Sequence, residues 1–206
     1  MNDKTTLLTA LVALYIAAEL VSNATAGRLV QLGGLIVPGA IFLYALTFTL
    51  RDAAHTLGGW RIARALVWIG VAANALLALY GLLVVNLPAP SFFGAGPYNV
   101  VFGATVRVVL ASLSAYLIST FLDALIFERL RHRSLAARVL ASNVVSTTLD
   151  TAVFVTLAFA GTGAPLLTLM VGQVALKLLI STLLIPLVYW VRAQMDRRGW
   201  THESYA

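Results

Sequence analysis

The chain has 206 residues, 60% of them hydrophobic and only 11% charged, with a mean hydropathy of +0.91. Soluble domains sit nearer half apolar and a quarter charged, so this composition excludes one and indicates a single integral membrane domain over residues 1–206. The lack of cysteine excludes disulfides, thiolate metal sites and thiol nucleophiles. The net charge of +6 and pI of about 10.1 do not indicate nucleic-acid binding. Most of the Lys and Arg sit in short connections between apolar runs, as topology signals and contacts to anionic lipid do.

At about 20 residues per crossing, hydropathy predicts an all-α bundle of six transmembrane helices, near 7–26, 35–53, 60–86, 99–126, 136–160 and 165–192. The first run is of full span length and lacks a small-residue cleavage site, so the mature chain is expected to begin at Met1. It carries Glu19 and Asn23. "GRLVQLGGLIVPGA", 27–40, is Gly-rich and broken by Pro38. It is expected as a short re-entrant piece of irregular backbone, tolerated at membrane depth only where protein or water covers it.

The second span brings Phe42, Tyr44 and Phe48 as candidate cavity aromatics, with Asp52 at its end. Arg61 and Arg64 follow. The connection 86–99, "NLPAPSFFGAGPYN", holds no Lys or Arg, and the fourth span carries Arg107, Tyr116 and Asp123. Arg129, Arg131, Arg133 and Arg138 come next, then the fifth span with Asp150, the uncharged turn "AGTGAP" at 160–165, and the sixth span with Lys177. Arg192, Arg197 and Arg198 close the tail. The positive-inside rule therefore puts both termini in the cytoplasm. "LDALIF" at 122–127 echoes "LDTAVF" at 149–154 in spans of opposite direction, a match short enough to arise by chance in leucine-rich sequence.

Ionisable residues at membrane depth are costly and need partners or a wet cavity. In an antiparallel pair turning near Gly163, Asp150 lies level with position 176, beside Lys177, both about 20 Å from the outer surface at 1.5 Å per residue. On the same rise Arg107 lies about 12 Å in, and Glu19 and Asn23 about 5 to 10 Å in. Two acids and two bases cancel, so a neutral buried network facing a polar pocket is expected. Ser142, Ser146 and Asp150 recur at four-residue spacing and share a helix face, with Asn143 and Thr147 beside them.

Each feature has a structural alternative. Asp150 and Lys177 could form an ion pair that only fixes packing, and span serines often bond their own backbone. Asp52 and Asp123 could be neutralised by Arg51 and Arg129, or act in gating or proton relay. His55 and His132 have no metal-ligand partners in register. Trp60, Trp68, Tyr189, Trp190 and Trp200 suit the interfacial aromatic belt. No GxSxG, HExxH or phosphate-loop signature occurs, so an enzyme is not expected, nor is a cofactor or a metal.

The ordered segments "SN" (22–23), "FLYALTFTLRDAAHTLGGWRIAR" (42–64), "RVVLASLSAYLISTFLDALIFERLR" (107–131), "SNVVSTTLDTAVFVTLAF" (142–159) and "LKLLISTLLIPLVY" (176–189) resemble the YhhQ-like "putative vitamin uptake transporter" family, bacterial inner-membrane carriers of queuosine precursors. The chain departs from that pattern after Asp52. Many members have an acid and then Tyr-Gly there, where this sequence has His55 and Gly58-Gly59. Asn23, Asp52, Arg107, Asp123, Asp150 and Lys177 fit the pattern.

The resemblance implies uptake of a 7-deazaguanine base, the 7-cyano or 7-aminomethyl form, for queuosine in transfer RNA. The guanine-like edge of such a base offers two adjacent N–H donors to a carboxylate, Asp150 or Glu19, and a carbonyl to Lys177, Arg107 or Asn23. Phe42 or Tyr44 would stack on the ring, with Asn143 and Ser146 at the same site. The expected partners are this small molecule and membrane lipid, with a homodimer reasonable from the Gly and Ala faces. Two rivals remain: the substrate-binding subunit of an energy-coupling-factor vitamin transporter, and a non-transporting membrane scaffold.

Overall fold

The computed structural model describes residues 3–129 and 135–200. Five helices and one small hairpin follow in order: α1 Asp3–Thr25, β1 Leu29–Leu32, β2 Leu35–Pro38, α2 Ile41–Val85, α3 Gly96–Arg129, α4 Leu135–Phe159 and α5 Leu166–Arg197. Among the described residues, four helical stretches are long and apolar enough to cross a membrane: Asp3–Thr25, Arg61–Val85, Gly96–Ser119 and Leu166–Val191. The expected crossing at 35–53 is helical only from Ile41, after β2, and the one at 136–160 falls on α4. The first carries Arg51 and Asp52, and in the second the stretch Thr147–Phe159 is an apolar helix among the described residues.

A helix of 45 residues would run about 68 Å if straight, twice the hydrocarbon thickness. α2 does not run straight. Gly59 has φ 74° and ψ −175°, a conformation that glycine reaches without a Cβ penalty, and the helix breaks there. Tyr44 and Asn74, about equally far on either side of Gly59, border one cavity, so the two arms double back beside each other. The break sits with both chain ends: Leu11 of α1, Leu57 and Leu66 flanking Gly59, and Val191 of α5 form one buried cluster, with Trp200 packed on it. At the same end Arg198 Nη1 lies 2.6 Å from Asp3 Oδ2.

The opposite end holds the hairpin. Residues 27–40 are not irregular as expected, because β1 and β2 pair antiparallel from Leu29–Pro38 to Leu32–Leu35. Gly33 and Gly34, both at positive φ, supply the two-residue turn. Pairing satisfies backbone groups that an irregular segment would leave open. Leu29 and Ile36 pack against a cluster of Ala111, Val155, Ala158, Phe159 and Leu169, which joins the hairpin to α3, α4 and α5. At Gly172 of α5 a Cβ would lie 2.8 Å from Val37 Cγ1 and 3.0 Å from the Ile36 carbonyl, so the hairpin seats directly on the helix backbone. Elsewhere α1 packs on α2, α2 on α5, and α3 on α4.

Candidate functional site

Tyr15, Glu19 and Asn23 follow at four-residue intervals on α1 and so form one inward stripe. The second arm of α2 faces it with Gly70 and Asn74, also four apart. Asn23 Nδ2 donates to Asn74 Oδ1 at 2.7 Å and to the Glu19 carbonyl at 3.2 Å. Asn74 Nδ2 in turn donates to Glu19 Oε2 at 3.3 Å and to the Gly70 carbonyl at 3.0 Å. The Tyr15 hydroxyl donates to the same carboxylate. A carboxylate accepts about four hydrogen bonds, so Glu19 keeps capacity for further donors while its position is fixed by two neighbours. Arg51, on the first arm of α2, acts on it electrostatically.

This network lines a cavity of about 440 Å³ together with Tyr44, Ser112 and Tyr116. A second chamber of about 320 Å³ adjoins it, sharing Asn23, Tyr44 and Ser112 as a common wall. Ser22, Gln173 and Phe154 lie on the second chamber only. Together the two chambers have the mixed lining of a small-molecule site, mostly apolar or aromatic with a few fixed polar groups.

Asp150 and Lys177 meet as their register implies. Lys177 Nζ lies 2.8 Å from Asp150 Oδ2 and 3.1 Å from Thr151 Oγ1, with Lys177 only 3% and Asp150 7% exposed. Neither residue lines either chamber. The pair is sealed behind Tyr44, whose ring centroid is 5.0 Å from the same ammonium.

Two expected ligand contacts lie elsewhere. Arg107 is exposed and spans from α3 to α4, where its Nε and Nη2 donate to the carbonyls of Leu157 and Ala160. Those carbonyls lie in the last turn of α4 and on the residue just after it, where the helix lacks its own donors and a cation is favourable. Phe42 is 51% exposed and borders neither chamber. Two residues along a helix is a rotation of about 200°, so with Tyr44 turned inward Phe42 points out. Asp52, Asp123, Asn143 and Ser146 are helical, but their side chains fall outside the described residues, as does His132 altogether.

Sequence reading passed over Asn74, Ser22 and Gln173. Asn74 stands as the single strongly polar residue in "WIGVAANALLALY", and Gln173 precedes Lys177 by one helical turn. Each signal was visible, yet an uncharged amide gives less warning than a formal charge.

A polar, aromatic-walled double chamber inside apolar helices is the architecture of a small-molecule membrane carrier. The sequence model of the family described as "Putative vitamin uptake transporter" matches residues 38–191, and the chain belongs to that family. It is also similar to a "Probable queuosine precursor transporter" of Bacillus subtilis (strain 168), 29% identical over 175 residues that cover 82% of this chain and 73% of the relative. No solved structure matches.

Proposed function

We propose that this protein imports a queuosine precursor, a 7-deazaguanine base, across the cell inner membrane. In this reading six helical crossings are formed by α1, the two arms of α2, α3, α4 and α5, with both termini cytoplasmic. The Asp3–Arg198 contact supports placing the two ends on one side of the membrane, and the arginine-rich connections make that side the cytoplasmic one. The observation that carries the substrate is Glu19, a carboxylate with spare acceptor capacity facing a chamber walled by Tyr15, Tyr44 and Tyr116. It would take the two adjacent N–H donors of the guanine-like edge, with a tyrosine ring against the flat face.

Because Lys177 and Arg107 are engaged elsewhere, the base carbonyl falls to Asn23 or to the Ser112 and Tyr116 hydroxyls on the same wall. Asp52 and Asp123 are assigned to gating or proton relay from their places in the sequence, and a homodimer is part of the same proposal.

The test is thermal stabilisation of the purified protein by 7-cyano-7-deazaguanine, 7-aminomethyl-7-deazaguanine, guanine and a panel of vitamins, since a ligand that prefers the folded state raises the midpoint. Stabilisation by a deazaguanine that is lost in Glu19→Gln is the expected result. A shift with a vitamin alone would transfer the chain to vitamin binding, and no shift with any compound would favour a scaffold.

A further inference from the structure

The second chamber brings oxygen acceptors from two helices together. Ser22 Oγ and Gln173 Oε1 are buried, their residues 1% and 4% exposed, and among the described residues neither atom has a hydrogen-bond partner. One comes from α1 and the other from α5. Both residues line the same chamber, yet the two atoms do not bond each other. Asn23, on the wall shared with the first chamber, gives its amide donors to Asn74 and to the Glu19 carbonyl, so its remaining capacity is the acceptor Oδ1. Unpartnered buried polar atoms are few in native proteins, and a water or an ion is among the groups that complete them.

We infer that the second chamber is a binding site for an alkali-metal cation, held by Ser22 Oγ, Asn23 Oδ1 and Gln173 Oε1. Hard cations take oxygen ligands. Among the described residues no carboxylate lines the chamber, so it lacks the charge that calcium and magnesium draw from Asp and Glu, and it suits a monovalent ion. Two fields favour positive charge there. α1 ends at Thr25 with no basic residue in its last turn, which leaves the negative end of its dipole beside Ser22, Asn23 and Ala26 on the chamber wall. Glu19 lies one helical turn from Asn23, in the adjoining chamber. The neighbouring cations weigh little against this, because Lys177 is held 2.8 Å from Asp150 and Arg28 is exposed, where solvent screens it. Cation sites at the C-terminal ends of interrupted helices recur in membrane carriers.

Asn23 also links the two chambers. Its Nδ2 holds Asn74, which donates in turn to Glu19, so a cation on Oδ1 fixes the group that orients the carboxylate. Cation and base should therefore each raise the other's affinity by the same factor. The site stands without the proposed function; this linkage rests on it.

The experiment is a melting series of the detergent-purified full chain, with no base present, in NaCl, KCl and choline chloride at equal ionic strength. Sodium or potassium should raise the wild-type midpoint saturably, by about 3 °C or more over choline. Ser22→Ala and Gln173→Met should each need about tenfold more salt for half the rise, the loss expected from one bond to a charged group. In choline, Ser22→Ala should melt no lower than the wild type, which separates a lost ion ligand from a lost structural contact. Equal melting in all three salts, or an alkali shift that both variants keep, would overturn the site and leave the oxygens to ordered water. Titration with the 7-cyano base then reads the linkage, and wild-type affinity should rise about fivefold from choline to the better alkali salt. Equal affinity in both salts would overturn the linkage. No base binding beside an intact alkali shift would overturn the queuosine-precursor reading while the cation site stands.

Discussion

Lys177 holds Asp150 at 2.8 Å while its ammonium sits 5.0 Å from the centroid of Tyr44, so the ion pair braces the aromatic wall of the chambers without entering them. Removing one member leaves a buried charge uncompensated, which costs about 3 to 5 kcal/mol. Asp150→Asn and Lys177→Met should each lower the unfolding midpoint sharply, and Asp150→Leu combined with Lys177→Met should recover much of the loss. A double-mutant cycle in detergent reads this directly, and additive single effects would refute it.

Glu19→Gln separates ligand recognition from folding. The amide keeps an acceptor for Asn74 at the 3.3 Å contact but cannot take two donors of a base at once. Hydrogen bonds to a charged group contribute about 1.5 to 3 kcal/mol each, so deazaguanine affinity should fall by a factor on the order of 100. The midpoint of the unliganded protein should move little. Calorimetric titration alongside a melting curve checks both.

Gly59→Ala addresses the reversal of α2. At φ 74° and ψ −175° a side chain is strained by about 1 to 3 kcal/mol, and Ala also favours continuing the helix. The expected outcome is a lower midpoint and weaker ligand binding together, because the Tyr44 and Asn74 arms lose their shared pivot. Unchanged binding in a destabilised variant would show the arms to be aligned by other contacts.

Arg107→Ala should cost about 1 to 2 kcal/mol of stability through the lost cap on the α4 carbonyls. Deazaguanine affinity should stay within about twofold of wild type. Arg107→Lys should rescue only part of the stability, since a point charge does not reproduce a fork that bridges two carbonyls. A large affinity loss in either variant would return Arg107 to the ligand.

Register along two antiparallel helices was enough to bring Asp150 and Lys177 together, because both the 1.5 Å rise and the turn near Gly163 can be read from sequence. What lay between helices was not readable. Arg107 has the charge and depth of a ligand contact, and only the placement of the last turn of α4 turns it into a cap. Phe42 and Tyr44 look equivalent in sequence, yet the helix rotation that separates them depends on packing against α1 and α5. The hairpin was misread for a related reason. Its Gly-Gly pair is a turn signal, but the alternation around it is too short to distinguish paired strands from loop.

The seat of the hairpin on α5 has a mechanical meaning. At Gly172 the gap to Val37 and Ile36 is smaller than a methyl group, so strand and helix cannot slide past each other by small side-chain adjustments. Gln173 is the next residue along, facing the second chamber. Strand and helix are therefore expected to shift as one body, so that a displacement of the exposed Gly33–Gly34 tip would carry the wall of the second chamber with it.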